Sequence, residues 1–166
     1  MTGCGWASVG RVLLISGTLA FPAVSAAAEA QVAANICQLA APSTATIKKD
    51  LGTPSAPPAY VPNPGAFPTP YCEIYGKTAQ VRIYMKPAAQ AATEIGAIKG
   101  SYASAGTHVI TKNLSGLGTG ATLYYYPKAD IIVWFTKGSH FVTVIGYGAT
   151  PDQTVALARV AGAKLP

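Results

Sequence analysis

Seven prolines fall between Thr53 and Pro70, at positions 54, 57, 58, 62, 64, 68 and 70. Proline fixes φ and carries no backbone N–H, so neither a helix nor a central strand can cross such a stretch. The segment over 53–70 reads as a stiff surface loop with polyproline character. A docking segment for a groove that accepts extended proline-rich chain is the alternative. Either way, the loop divides the chain into a short helical part before it and a strand-rich part after it.

The N-terminal part begins with a leader. Arg11 precedes the apolar run Val12–Phe21, Pro22 breaks that run, and the small residues Ala23–Ala28 follow. Val24-Ser25-Ala26 fits the small-x-small cleavage rule, so residues 1–26 are expected to be a cleaved signal peptide and 27–166 a single domain. No apolar run reaches the roughly 18 residues that span a bilayer, so no transmembrane segment is expected. Export places the protein in a periplasm or outside the cell. Cys4 lies ahead of the apolar run and would leave with the leader. The remaining pair, Cys37 and Cys72, then reads as one disulfide in an oxidising compartment.

Helical spacing of Val32, Ile36, Leu39 and Ala40 predicts a helix over 29–41, ended by Pro42. A second short helix follows, with Ser43 or Thr44 as its N-cap and Gly52 as its stop. Beyond the prolines the period becomes two. Tyr71–Tyr75 and Ala79–Lys86 form a hairpin, with Val81, Ile83 and Met85 on a core face and Gln80, Arg82, Tyr84 and Lys86 on a wet one. Pro87 opens an alanine-rich helix that Gly100 is expected to stop. Its narrow stripe of Ala88, Ala91, Ala92, Ile95 and Ile98 should lie close against a sheet. A short strand over 107–111 precedes a three-strand meander over 121–126, 130–137 and 140–147. Pro151-Asp152 then starts a closing helix. The fold class is therefore α+β: one antiparallel sheet, built from a hairpin and a three- or four-strand meander, with N-terminal, middle and C-terminal helices packed on it.

Composition narrows the functional classes. The net charge of +6 comes from twelve scattered Lys and Arg, not a basic stripe, so nucleic acid is not the expected partner. Gly116-Leu117-Gly118-Thr119-Gly120 lacks the strand–glycines–helix context of a dinucleotide fingerprint, because a strand follows it, and reads as a tight turn. Ser139 and His140 are adjacent, and neighbouring strand residues point to opposite faces, which disfavours a nucleophile–base pair. His108 is isolated. Glu73 and Glu94 could form a carboxylate pair, but the sequence does not fix their separation. No catalytic, cofactor-binding or metal-binding residues are assigned, and no cofactor is expected.

One combination of features carries a resemblance. Cys37-x-Leu39 precedes a short helix ending Leu51-Gly52, Cys72 opens a strand, and Gly116-Leu117-Gly118 with Ala121 leads into the meander. The alanine-rich run Val155–Ala161 closes the chain. Over about residues 37–165 the chain resembles the small exported domains of unknown function found in actinobacterial lipoproteins, and it is distantly similar to the photosystem II oxygen-evolving P-subunit-like sandwich. The resemblance implies a non-catalytic envelope role and supplies neither a ligand nor catalytic residues. The lipid-accepting cysteine of many such proteins is missing, so membrane attachment is not carried over.

The aromatic residues give the sharpest functional expectation. In the meander, Leu123, Tyr125, Ile131, Val133 and Phe135 share one parity, and Tyr124, Tyr126, Ile132 and Trp134 share the other. Both sets are apolar. Either both faces of the meander are covered, or one exposes an aromatic patch with Arg82 and Lys137 near its margin. Tyr, Trp and Arg dominate binding hot spots, and Arg82, Tyr84, Tyr124, Tyr126 and Trp134 are the candidate interface residues. The expected function is an exported envelope binding or accessory module that contacts a protein partner through this face. A small apolar ligand is the second candidate, and an envelope hydrolase using a carboxylate or histidine site is the competing class.

Overall fold

The computed structural model describes residues 36–62, 69–103, 108–126 and 130–166. The expected leader, the first turns of the helix expected over 29–41, part of the proline-rich loop and the expected turn at 127–129 lie outside the described residues. Two short helices open the fold, α1 (Ile36–Ala40) and α2 (Thr44–Leu51). Ser43 caps α2, its Oγ accepting from the Thr46 N–H, and Gly52 follows the last helical residue.

Seven strands follow: β1 (Ala59–Val61), β2 (Tyr71–Tyr75), β3 (Gln80–Pro87), β4 (Ile110–Asn113), β5 (Thr119–Tyr125), β6 (Ile131–Lys137) and β7 (His140–Tyr147). They form one antiparallel sheet in the order β1-β2-β3-β7-β6-β5-β4. Among its described residues the proline-rich stretch contributes β1, a three-residue edge strand, which is where proline-flanked chain is tolerated. The hairpin β2–β3 joins the meander through β7, with Arg82 opposite Ile145 and Tyr84 opposite Thr143.

The remaining helices are α3 (Ala91–Ala103), entered through a 3₁₀ turn at Ala88–Gln90, and α4 (Pro151–Lys164). Helix α3 runs three residues past Gly100, the expected stop. An added Cβ at Gly100 would meet nothing within 4 Å, so this glycine sits on an open helix surface and is no cap. Helix α4 starts with a full capping box: Thr150 Oγ1 accepts from the Gln153 N–H, and the Gln153 side chain accepts from the Thr150 N–H.

Strand alternation divides the sheet residues between two faces. The first carries the main core, with Ile74, Val81, Ile83, Val133, Phe135, Val142 and Val144 packed under Ile36 and Ile47 of the N-terminal helices and Leu157, Ala158 and Ala161 of α4. Fully burying one of the larger of these side chains contributes roughly 1.5–3 kcal/mol. Small residues bring α4 close to the sheet, since a Cβ on Gly146 of β7 would sit 2.4 Å from Thr154 Oγ1. Polar bonds tie α4 to the N-terminal helices: Gln153 donates to the Asp50 carbonyl at 2.7 Å and Lys164 to the Ala41 carbonyl at 2.5 Å.

Cys37 of α1 and Cys72 of β2 form the expected disulfide, with an S–S distance of 2.01 Å and the two residues 35 apart in sequence. It staples the N-terminal helices to the main-core face. The glycine-rich turn also lies on this side. Gly118 has φ of +150°, and a Cβ there would fall 2.3 Å from the Thr136 carbonyl oxygen. The glycines thus let the turn approach β6 while Leu117 is buried in the core.

The second face has a separate, smaller core of Tyr124, Ile132, Trp134 and Phe141. Helix α3 covers it, applying Ala91, Ile95, Ile98 and Tyr102. Both apolar parities of the meander are therefore packed. No residue of α3 is itself fully buried, so this helix is a thin cover laid over one part of the sheet. Among the described residues, no helix is long and apolar enough to cross a membrane.

Candidate functional site

Helix α3 lies across only part of the second face, and beside it a cleft of about 520 Å³ opens over β3 and β7. That volume falls within the roughly 300–1,000 Å³ range of small-molecule sites. Period-two alternation builds its walls. Arg82, Tyr84 and Lys86 project from β3 on the face opposite Val81, Ile83 and Met85, and Phe141, Thr143, Ile145 and Tyr147 project beside them from β7. Ile132 of β6 extends the apolar floor. Glu94, Ile98 and Tyr102 descend from α3, while Asp130 and Thr69 stand at the border.

Arg82 is the most tightly positioned polar group of this cleft. Its Nε donates to Glu73 Oε1 at 3.0 Å. The guanidinium carbon lies 4.7 Å from the Tyr71 ring centroid and 4.9 Å from that of Tyr147, within cation–π range of both. Tyr71 in turn packs on Tyr84, with centroids 5.2 Å apart. Glu73 is buried and also accepts from the Tyr75 hydroxyl at 2.5 Å and from Gln80 Nε2. Three donors thus converge on one carboxylate, which fixes the arginine from behind. Burial works against the guanidinium charge, yet the hydrogen bond to Glu73 and the surrounding tyrosines hold its pKa above the ordinary value.

The tyrosines are neutral donors and acceptors at physiological pH. Burial pushes the Tyr84 hydroxyl up to about 12, with hydrogen bonding to Arg82 pulling the other way. Burial and the neighbouring Asp130 carboxylate push Tyr102 up to about 12. Tyr147 is raised by burial, against the opposing charge of Arg82. At the far end Lys86 Nζ pairs with Glu94 Oε1 at 2.6 Å, bridging β3 to α3. Tyr102 directs its hydroxyl to Asp130 at 3.5 Å, the outer limit of a hydrogen bond.

The structure separates the candidate interface residues into two groups. Arg82 and Tyr84 line the cleft. Tyr124, Tyr126 and Trp134 are only 6%, 5% and 3% exposed and lie beneath α3, so they form no open patch. Lys137, expected at the margin of that patch, points to the opposite face and donates to the Gly162 carbonyl of α4 at 2.6 Å. The apolar stripe of α3 faces a sheet without specifying which side, and the side it takes creates the cleft. Tyr147 and Asp130 consequently escaped notice as site residues.

The catalytic constellations weighed in the sequence do not assemble. Glu73 and Glu94 are engaged by different cations, Arg82 and Lys86. Ser139 Oγ comes within 3.5 Å of His140 Nε2, closer than alternation suggested, because Ser139 belongs to the turn. The ring's Nδ1 is buried without a hydrogen-bond partner, so no carboxylate orients it as a general base requires. Among the described residues, no group of three His, Cys, Asp or Glu side chains could hold a metal ion.

No protein-family model matches the chain, and no characterised protein matches it in sequence. Among solved structures, a Thermotoga maritima protein described as a GTP-binding regulator superposes with a TM-score of 0.41 at 11% identity, covering 74% of this chain and 90% of that one. A likeness of that size has no bearing on function.

Proposed function

We propose that the protein is an exported, disulfide-stapled binding module of the cell envelope whose ligand is a small molecule held between α3 and the β3–β7 face. The cleft carries this reading. It has an apolar floor of Ile132, Phe141 and Ile145, a polar rim, and an arginine fixed in advance by Glu73, Tyr71 and Tyr147. A concave, largely apolar site with a few placed polar groups is the usual form of a ligand pocket. The burial of Tyr124, Tyr126 and Trp134 favours a small molecule over a protein partner bound on an aromatic face. The exported, envelope setting extends the leader and disulfide arguments and is part of the same proposal.

The test is titration with Nile red, an uncharged apolar dye, against the oxidised wild type and an Ile145→Trp variant. Ile145 lies on the cleft floor, and an indole there fills the space. Saturable one-site binding to the wild type, lost in the variant, is the expected result. Non-saturable binding, or equal binding by both, would rule out the cleft as the ligand site.

A further inference from the structure

We propose that the cleft selects an amphipathic oxyanion, an aliphatic chain ending in a carboxylate or a phosphate, with the anionic end at Arg82 and Tyr147 and the chain along Ile145, Ile132 and Ile98. This rests on the reading of the cleft as a ligand site and adds the chemistry of its occupant.

The first support is the donor inventory of Arg82. A guanidinium has five N–H donors and no acceptor. Glu73 takes the Nε donor, while the Tyr71 and Tyr147 rings occupy the faces and consume no N–H. The Tyr84 and Tyr147 hydroxyls share hydrogen bonding with the terminal nitrogens, and the N–H donors they do not take are left to act at the cleft. An arginine gripped on its Nε side and across both faces loses little further freedom when an oxyanion docks on its terminal edge.

The second support is the arrangement of charge along β3. Arg82 and Lys86 share a face four residues apart, roughly 13 Å along the strand. Lys86 is committed to Glu94 at 2.6 Å, closing that end with a neutral pair. Arg82 is paired with Glu73 as well, but through its Nε, so its terminal N–H donors mark one end of the cleft and the apolar floor leads away from it. That geometry suits a ligand with one anionic head and one apolar tail. Asp130, at the border near Tyr102 and Tyr147, supplies the opposing charge. If it governed the site, an aliphatic amine would bind best.

The experiment follows directly. The oxidised protein is titrated calorimetrically with decanoate, decyl phosphate, decanol and decylamine, four ligands that share a chain and differ in the head. One or both anions are expected to bind on the order of tenfold more tightly than the alcohol, and the tighter anion identifies the head group. Arg82→Gln should abolish that preference, bringing the anions down to the affinity of the alcohol. Tyr147→Phe, a milder change, should narrow it. Decanol or decylamine binding as tightly as the anions would overturn the proposal while leaving the cleft a ligand site. Failure of all four ligands to bind would overturn the ligand-site reading as well. The wild-type ranking decides the question whether or not Arg82→Gln folds.

Discussion

The hydroxyl of Tyr126 donates to the backbone carbonyl of Tyr102 at 2.5 Å, tying the last turn of α3 to the sheet. Because no residue of α3 is fully buried, this bond, the Lys86–Glu94 pair and the longer Tyr102–Asp130 contact are among the polar anchors that hold it. Tyr126→Phe keeps the ring packing on Tyr102 and removes only the donor. The expected cost is about 1 kcal/mol of global stability. Amide hydrogen exchange should also quicken over 98–103 more than in α4, and equal effects on the two helices would refute the anchoring role.

Two glycine substitutions should act in opposite directions. Gly118→Ala drives a Cβ against the Thr136 carbonyl and forces φ of +150° on an L side chain, so a loss of more than about 2 kcal/mol is expected. Gly100→Ala sits on the open surface of α3 and should stabilise by about 0.5–1 kcal/mol. Urea unfolding of the two variants checks both signs.

Removing the disulfide with Cys37→Ala/Cys72→Ala should lower stability by about 2–4 kcal/mol, since the closed loop restricts the unfolded chain. The bridge lies on the main-core face and the cleft on the other. Ligand affinity of the folded double variant should therefore match the wild type, measured at a temperature where both are folded.

Alkaline pH should destabilise the fold. Tyr84 and Tyr102 are raised to about 12 in the native state, chiefly by burial, whereas an unfolded chain releases these protons near pH 10. Between those values the unfolded state binds fewer protons than the native one, so stability falls as pH rises from about 10 toward 12 and is unaffected by these groups below that window. Tyrosinate absorbance should lag in the native protein and rise together with unfolding. Full ionisation near pH 10 without unfolding would contradict the assignment.

Much of this fold was legible because its signals are local. Alternation placed Val81, Ile83 and Met85 against Gln80, Arg82, Tyr84 and Lys86 correctly, and Cys37 and Cys72, the two cysteines beyond the expected leader, admitted one pairing. Pro151-Asp152 marked the start of α4 in the same way. What escaped was relational. Nothing between Ala88 and Tyr102 states which face the helix covers, because an Ala/Ile stripe packs equally well on either. That single choice buries Trp134 and Tyr124 and leaves Arg82 and Tyr84 at a cleft edge. The end of α3 was missed for a related reason: Gly100 carries a helix-stop identity, but the helix tolerates it at a cost of about 1 kcal/mol.

The pairing of β3 with β7 has a consequence for how the chain must be made. Gln80 sits opposite Tyr147 and Lys86 opposite Phe141, so the centre of the sheet is closed by the last strand synthesised. A chain emerging from its N-terminus can form β1–β2–β3, join Cys37 to Cys72 and pair β4, β5 and β6, yet these stay two separate ribbons, each with a bare edge, until residue 147 has emerged. Such long-range closure is slow and comes late. A polypeptide with this strand order keeps its sheet open until its last strand arrives, and becomes globular only then.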